Sequence, residues 1–237
     1  MFTDKIEAKD FPKMSREYQD LLVRVLTIQA DCEIGGPHIY LDRWVLTAPT
    51  IDDQLVMAKT ASEEVDHCRK MLVLLREVGV DGSHVLWRTK AERAVDAFRM
   101  EMPTWADVAV FGFLIDRVGR YQLEEFTDCS YLPLQKALPQ ILHEERGHIS
   151  YGTTKLRELL RAPEGRAQAQ AAVNRWYPRA LDMFGLSESR RSERYVEWGI
   201  KRRGNTQARQ EYMDEVTPLL TELGLQIPDP LEDRKYL

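Results

Sequence analysis

The chain has 237 residues, with 33 Lys plus Arg against 38 Asp plus Glu for a net charge of −5; 43% of residues are hydrophobic and 30% charged, which excludes collagen-like, low-complexity and disordered classes. The longest uncharged apolar run, Val108 to Ile115, stops at Asp116, well short of the roughly 18–20 residues of a bilayer span, so no membrane partner is expected. The opening Met1-Phe2-Thr3-Asp4-Lys5 has no apolar leader core, which points to the cytoplasm, and the acidic balance speaks against nucleic acid as a partner. Apolar residues recur at helical spacing and alternating strand-like runs are missing, so the expected class is all-α.

A first helix is expected from about Ser15 to Leu46, with Leu21, Leu22, Val25, Ile28 and Gln29 on one side and an end near Thr47-Ala48-Pro49. Thr50, followed by Asp52 and Asp53, caps a second helix that runs to about Val78, where Gly79 stops it. Residues 80–103 read as a connection with one short helix, Lys90 to Phe98. Thr104 and Asp107 resemble a capping box that opens a third long helix to about Asp128. Cys129 to Pro133 reads as a turn, and a fourth long helix extends to about Arg161 with a kink at Pro139. Pro163 starts a helix that stops at Gly185. Further helices begin at Ser187 and at Asn205, the latter ending at Gly224 before an extended tail. Together these predict one domain, 1–237: a core bundle at about 15–161, C-terminal helices at about 163–224 and a tail at 225–237.

The chemistry shows in two motifs of one kind. Glu64-Val65-Asp66-His67 and Glu145-Arg146-Gly147-His148 are both Glu-x-x-His, on the second and fourth long helices. Positions i and i+3 share a helix face, and two such motifs plus one acid from each remaining helix make the di-iron or di-manganese bundle arrangement. Chance alone produces two matches in roughly one chain in seventeen of this composition, so position must decide. In an antiparallel pair, residues at one height lie equally far from the turn between them. Glu33 lies 31 residues before Glu64, and the midpoint falls on Ala48-Pro49. Asp116 lies 29 residues before Glu145, and the midpoint falls on Ser130-Tyr131. Glu125 would miss that turn by about 4.5 residues and the metal height by roughly 13 Å, and Glu124 by nearly as much.

The candidate ligands are therefore Glu33, Glu64, His67, Asp116, Glu145 and His148. Asp116 ends an apolar run, where a carboxylate is costly unless paired or coordinated. Gly35-Gly36 offers room for a local bulge beside Glu33. Glu63 and Glu144 are expected to be solvated or one layer behind the ligands. Three cysteines, Cys32, Cys68 and Cys129, are too few for a disulfide framework and are expected as reduced, buried thiols rather than ligands.

Several stretches resemble the ring-epoxidising di-iron oxygenases that act on aromatic CoA thioesters, the phenylacetyl-CoA 1,2-epoxidase catalytic chains above all and the benzoyl-CoA epoxidases more distantly. They are Cys32-Glu-Ile-Gly35, Met57-Ala-Lys59, Thr104-Trp-Ala-Asp-Val108, Leu114-Ile-Asp116, Cys129-Ser-Tyr131 and Glu144-Glu145 through His148. Ala172-Val-Asn-Arg-Trp176, Met183-Phe-Gly185 and Trp198-Gly-Ile-Lys-Arg202 extend the resemblance toward the C-terminus.

The resemblance implies a ferritin-like four-helix bundle with additional C-terminal helices, holding two iron ions on the six residues named, with manganese also compatible. Glu33, Glu64, Asp116 and Glu145 would be the catalytic carboxylates, with Glu64 and Glu145 bridging. It implies O2-dependent insertion of one oxygen atom into the ring of an aromatic acyl-CoA, with electrons from a separate flavin or iron–sulfur reductase. It also implies assembly as a homo-oligomer or with a paralogous structural subunit. The competing expectations are a different di-iron hydroxylase or peroxidase on a non-CoA substrate, or a non-catalytic structural role in a multicomponent oxygenase. Phe111, Phe113, Ile115 and Tyr121 are candidates for the substrate wall. Lys201 and Arg202, within a cluster that includes Arg190, Arg191, Arg194 and Arg203, are candidates for the CoA phosphates. Arg117, Arg120, Glu124 and Glu125 make the third long helix more charged than the resemblance leads one to expect.

Overall fold

A computed structural model describes residues 2–41 and 43–237. Among them the regular structure is helical, and the sole β pairing is an isolated parallel bridge between Ile6 and Tyr131. The α-helices are α1 (Arg16–Leu41), α2 (Trp44–Thr47), α3 (Ile51–Glu77), α4 (Trp105–Glu124), α5 (Leu132–Leu159), α6 (Pro163–Asp182), α7 (Arg190–Glu197) and α8 (Asn205–Glu222).

The chain divides into two compact units: Met1–Glu101 with Phe126–Ile141 and Glu197–Ile200, and Met102–Glu125 with Leu142–Val196 and Lys201–Leu237. In the first unit α1 and α3 lie side by side, with Tyr18, Leu22, Leu26, Ala30, Met71 and Leu75 buried. The backbone of Ile6 pairs with the 130–132 turn, accepting from Leu132 N at 2.9 Å and donating to Ser130 O at 2.7 Å. Tyr18 and Ser130 share a buried hydroxyl hydrogen bond of 3.0 Å beside that turn.

In the second unit α4 packs on α6 and α8. Its residues Ala106 to Val118 are all buried, as expected of the apolar run that singled it out. Three polar contacts fix the neighbours in register. Trp176 Nε1 of α6 donates to Asp107 at 3.0 Å, Tyr212 of α8 donates to the carbonyl of Leu114 at 3.1 Å, and Gln122 donates to the carbonyl of Met183 at 2.8 Å.

Capping follows the sequence closely. Thr50 accepts from Asp53 N at 3.1 Å, and Thr104 and Asp107 form the reciprocal box. Gly79, Gly185 and Gly224 take positive φ at the ends of their helices, as a left-handed stop requires.

The boundaries differ from the sequence reading in four places. The first long helix ends at Leu41 and a short α2 follows, because Arg43 leaves the helical region at φ −142°. Lys90 to Phe98 is not one helix but two single 3₁₀ turns, Lys90–Glu92 and Asp96–Arg99, preceded by a third at Ser83–Trp87. The Thr89–Glu92 box closes its own turn, and the backbone N–H of Ala94 is taken by Asp31 at 2.6 Å instead of continuing a helix. The third long helix stops at Glu124 rather than Asp128, and α7 begins at Arg190 rather than Ser187. Gly35 and Gly36 lie in regular α-helix with no bulge. Gly35 serves close approach instead: a Cβ there would sit 2.9 Å from the ring of Phe98.

Candidate metal centre

In the first unit the acid comes from the middle of α1 and the motif from α3. Glu33, Glu64 and His67 are all buried, at 4%, 8% and 0% exposure. Each offers a ligand atom, and these atoms lie within 4.8 Å of one another. His67 Nδ1 is 3.3 Å from Glu33 Oε2, and Gln29, one turn earlier on α1, donates to Glu33 Oε1. Burial pushes the Glu33 carboxyl up, but hydrogen bonds from His67, Gln29 and Glu64 and the charge of His67 outweigh it and hold the group below the ordinary glutamate value. Two carboxylates and an imidazole gathered out of water on two helices are costly unless a cation joins them, and this donor set fits a divalent iron or manganese ion.

Behind this group α1 carries a second buried acid. Asp31 is fully buried and accepts from Arg93 Nη1 at 3.0 Å and from Ala94 N at 2.6 Å, with Arg88 Nη1 at 3.1 Å. Arg93, itself 1% exposed, also donates to the carbonyls of Val85 and Arg88 and meets His38 Nδ1 at 2.9 Å. The connection over residues 83–99 is thereby strapped onto α1 two residues from Glu33. Sequence reasoning missed this clamp and gave Gln29 no role beyond its place on the apolar side. The spacing of Gln29 to Glu33, one helical turn, was the available signal.

In the second unit Asp116 of α4 and Glu145 and His148 of α5 are buried at 8%, 4% and 5% exposure. His148 Nδ1 is 3.8 Å from Glu145 Oε2. The Glu145 carboxylate lies against α4 at Gly119, where a Cβ would be 3.8 Å from Oε2. The two helices are brought together by glycines one turn from Asp116 on α4 and from His148 on α5. A Cβ on Gly152 would lie 2.6 Å from the backbone of Gly112, and one on Gly112 would lie 3.0 Å from Gly152 Cα and 3.5 Å from Asp116 Oδ2. Only glycine permits that approach.

The other acids near the motifs have partners of their own. Glu63 is half-buried and pairs with Lys59 at 3.2 Å, and Glu124 pairs with Arg120 at 3.4 Å. Glu125 is buried and accepts from Arg203 N at 2.8 Å and from its Nε at 2.5 Å. Arg117 and Arg120 both reach Glu215 of α8, so the unexpected charge on α4 is balanced within the unit.

Phe111 is buried edge-to-face on Trp176 at 5.1 Å, and Phe113 lies under the Arg117 guanidinium at 5.0 Å. Ile115 is buried too, while the Tyr121 hydroxyl donates to Glu215 at 2.8 Å. Lys201 lines a cavity of about 20 Å³ together with Tyr121, Glu125 and Arg203. That is room for about one water and far too little for a phosphate. Burial lowers the Lys201 amine from the ordinary lysine value, with Glu125 opposing. Arg202, Arg190 and Arg191 are exposed. His84 and His143 are exposed as well.

The three cysteines are free and buried. Burial raises all three thiols, Cys68 and Cys129 to about 12. They are protonated core residues, unsuited to hold a metal.

The family model described as "Phenylacetic acid catabolic protein" matches residues 3–235. The chain is 29% identical over 231 residues to one of the subunits of the 1,2-phenylacetyl-CoA epoxidase of Escherichia coli K12, an alignment covering 95% of this chain and 74% of that one. It is 25% identical over 217 residues to benzoyl-CoA oxygenase component B of Aromatoleum evansii, covering 79% of this chain and 46% of the relative.

Proposed function

The chain belongs to the phenylacetic acid catabolic protein family, and from that membership we propose that it is a cytoplasmic, O2-dependent di-iron monooxygenase that forms a ring epoxide on an aromatic acyl-CoA, with phenylacetyl-CoA as the reference substrate. The observation that carries the proposal is the pair of buried groups, each with two carboxylates and one imidazole: Glu33, Glu64 and His67, and Asp116, Glu145 and His148. The proposed architecture is a ferritin-like bundle of α1, α3, α4 and α5 within a single domain, the two groups serving one di-metal centre.

When bound, two irons supply the redox chemistry that activates O2, with electrons delivered by a separate flavin or iron–sulfur reductase. The protein's own part is to hold and orient. Gln29 fixes Glu33, the Asp31–Arg93 clamp fixes the turn of α1 that carries it, and the glycine contact fixes α4 against α5. Burial of all six side chains keeps bulk water from them. In this reading exposed Arg202 faces the CoA phosphates, Lys201 being confined to a cavity too small for one, and Phe111, Phe113, Ile115 and Tyr121 border the acyl group. The epoxidase relative bears the name of one subunit among several, which makes a multi-subunit assembly part of the proposal.

Metal analysis of the iron-supplemented protein tests it. Two iron equivalents per chain are expected, lost in a Glu64→Ala/His148→Ala variant, together with O2 consumption dependent on phenylacetyl-CoA and a reductase. A metal-free wild type would overturn the proposal. An iron-loaded protein that leaves acyl-CoA untouched would point to another di-iron chemistry or to a structural subunit.

A further inference from the structure

One arginine fastens the strap over residues 83–99 to α1. The buried Arg93 guanidinium directs Nη1 to Asp31 and to the carbonyl of Val85, and Nη2 to the carbonyl of Arg88 and to Nδ1 of His38 at 2.9 Å. A guanidinium has donors and no acceptor, so His38 must accept in this contact: Nδ1 presents its lone pair, the ring proton sits on Nε2, and the imidazole is neutral. His38 is half-buried, seven residues after Asp31 and five after Glu33, so both side chains that Arg93 grips stand on one face of α1, two turns apart. The acids around the contact are engaged with other partners. Asp31 already accepts from Arg93, from the Ala94 N–H and, at 3.1 Å, meets Arg88. Within the strap Lys90 pairs with Glu101, Glu92 closes its turn on Thr89, and Asp96 pairs with Arg99 at 3.0 Å, while Arg99 Nε donates to the Arg93 carbonyl at 2.7 Å and His84 is exposed. α2 carries no charged residue, and Arg43 before it lies over the Trp44 ring. On α3 the residue level with His38, counted from the turn that sets Glu33 opposite Glu64, is Lys59, which pairs with Glu63 at 3.2 Å.

We propose that His38 and Arg93 form a pH-sensitive latch: protonation of His38 releases the strap over residues 83–99 from α1. A proton on Nδ1 sets N–H against N–H and cation against cation where the neutral ring accepts a hydrogen bond. Lifting the strap relieves that repulsion. The same movement opens the bond from Ala94 N to Asp31 and takes the Phe98 ring off its seat on Gly35. Acid therefore loosens the cover of the α1 turn that carries Glu33. The sign follows from which form the closed strap accommodates. It holds the neutral ring and excludes the protonated one, so its stability is fully present above the ordinary histidine value of about 6.5 and falls as pH drops below it. With the ring neutral in the closed strap and titrating at its ordinary value in the open one, the opening constant rises roughly thirtyfold between pH 8 and pH 5.

Amide hydrogen exchange of the whole, iron-supplemented chain measures the opening directly. The reporters are the N–H groups of Glu92, Ala94 and Phe98, held by Thr89 O, the Asp31 carboxylate and Val95 O, and the amides of Met71 to Leu75 on α3 serve as the reference for unfolding of the unit. After correction for intrinsic exchange, strap opening in the wild type should rise roughly thirtyfold from pH 8 to pH 5 while the reference stays constant. His38→Gln keeps a neutral acceptor at every pH and should hold strap opening constant within about twofold. His38→Lys places a permanent cation there and should show at pH 8 the opening that the wild type reaches at pH 5. Loss of iron toward acid affects wild type and His38→Gln alike, so their difference at equal pH reports the latch alone. The wild-type profile needs no variant, and a rise below about threefold overturns the proposal. An equal rise in His38→Gln overturns it too, as does strap exchange that only keeps step with the α3 reference, or a His38→Lys strap that stays closed at pH 8.

Discussion

At Asp31 a carboxylate with no exposure meets two guanidinium groups and a backbone N–H, and the strap over residues 83–99 closes on it. Such a buried pair adds little net stability over an apolar replacement, yet stranding one member is expensive. Arg93→Met is therefore expected to destabilise the fold by roughly 3 kcal/mol, at the low end for a broken buried pair because Arg88 stays near the same oxygen. Asp31→Asn together with Arg93→Met should recover most of that loss, as read from urea unfolding midpoints. Equal loss in the single and double variants would show that the clamp acts through packing alone. The pair was not legible in the sequence, because its members are 62 positions apart and neither belongs to a periodic pattern. Acid and imidazole three residues apart on one helix are a local pattern, so Glu64 with His67 and Glu145 with His148 could be read directly.

Among the helices, the contact of α4 with α5 is decided by the absence of side chains. Gly152→Ala would drive a methyl group into the backbone of Gly112. An expected cost of about 1–3 kcal/mol accompanies such overpacking, together with reduced iron retention, because the displaced helices carry Asp116, Glu145 and His148. Gly147, inside the motif, has nothing within 4 Å of its would-be Cβ. Gly147→Ala should leave iron content unchanged and raise stability by up to about 1 kcal/mol through helix propensity. Thermal melts and metal content of the two variants check this, and similar behaviour of both would sink the contact's proposed role. At this scale the sequence told long helices and their caps well: the Thr50 and Thr104 hydroxyls accept from backbone N–H groups three residues on, and Gly79, Gly185 and Gly224 act through their own backbone, so each cap is local. It misread residues 90–98 because Asp31, far away in the chain, takes the N–H that a continuing helix would need.

For the molecule as a whole, the all-α class followed from periodicity, whereas the excess of charge on α4 looked like a departure until α8 supplied Glu215. Burial raises the Glu215 carboxyl, but the Tyr121 hydroxyl and the charges of Arg120 and Arg117 outweigh it and hold the group below its ordinary value of 4.5. A depressed folded-state value means that stability is fully present above the ordinary pKa and is lost as pH falls through the folded one. Glu215→Gln should thus cost about 1 kcal/mol near neutral pH, the scale of a partly exposed ion-pair network. The gap between variant and wild type should close as pH falls below the ordinary value. Melting temperature against pH for the two proteins measures this, and a gap that widens toward acid would contradict it.

The meeting of Gly112 and Gly152 also limits traffic. Where two helix backbones touch there is no lining of side chains to swing aside, and so no passage that thermal motion could open. Neither a gas molecule nor a proton-carrying chain of waters can reach Asp116 or His148 by slipping between α4 and α5 at that turn. Whatever enters must come from another direction, and the glycine contact acts as a fixed floor beneath the acids.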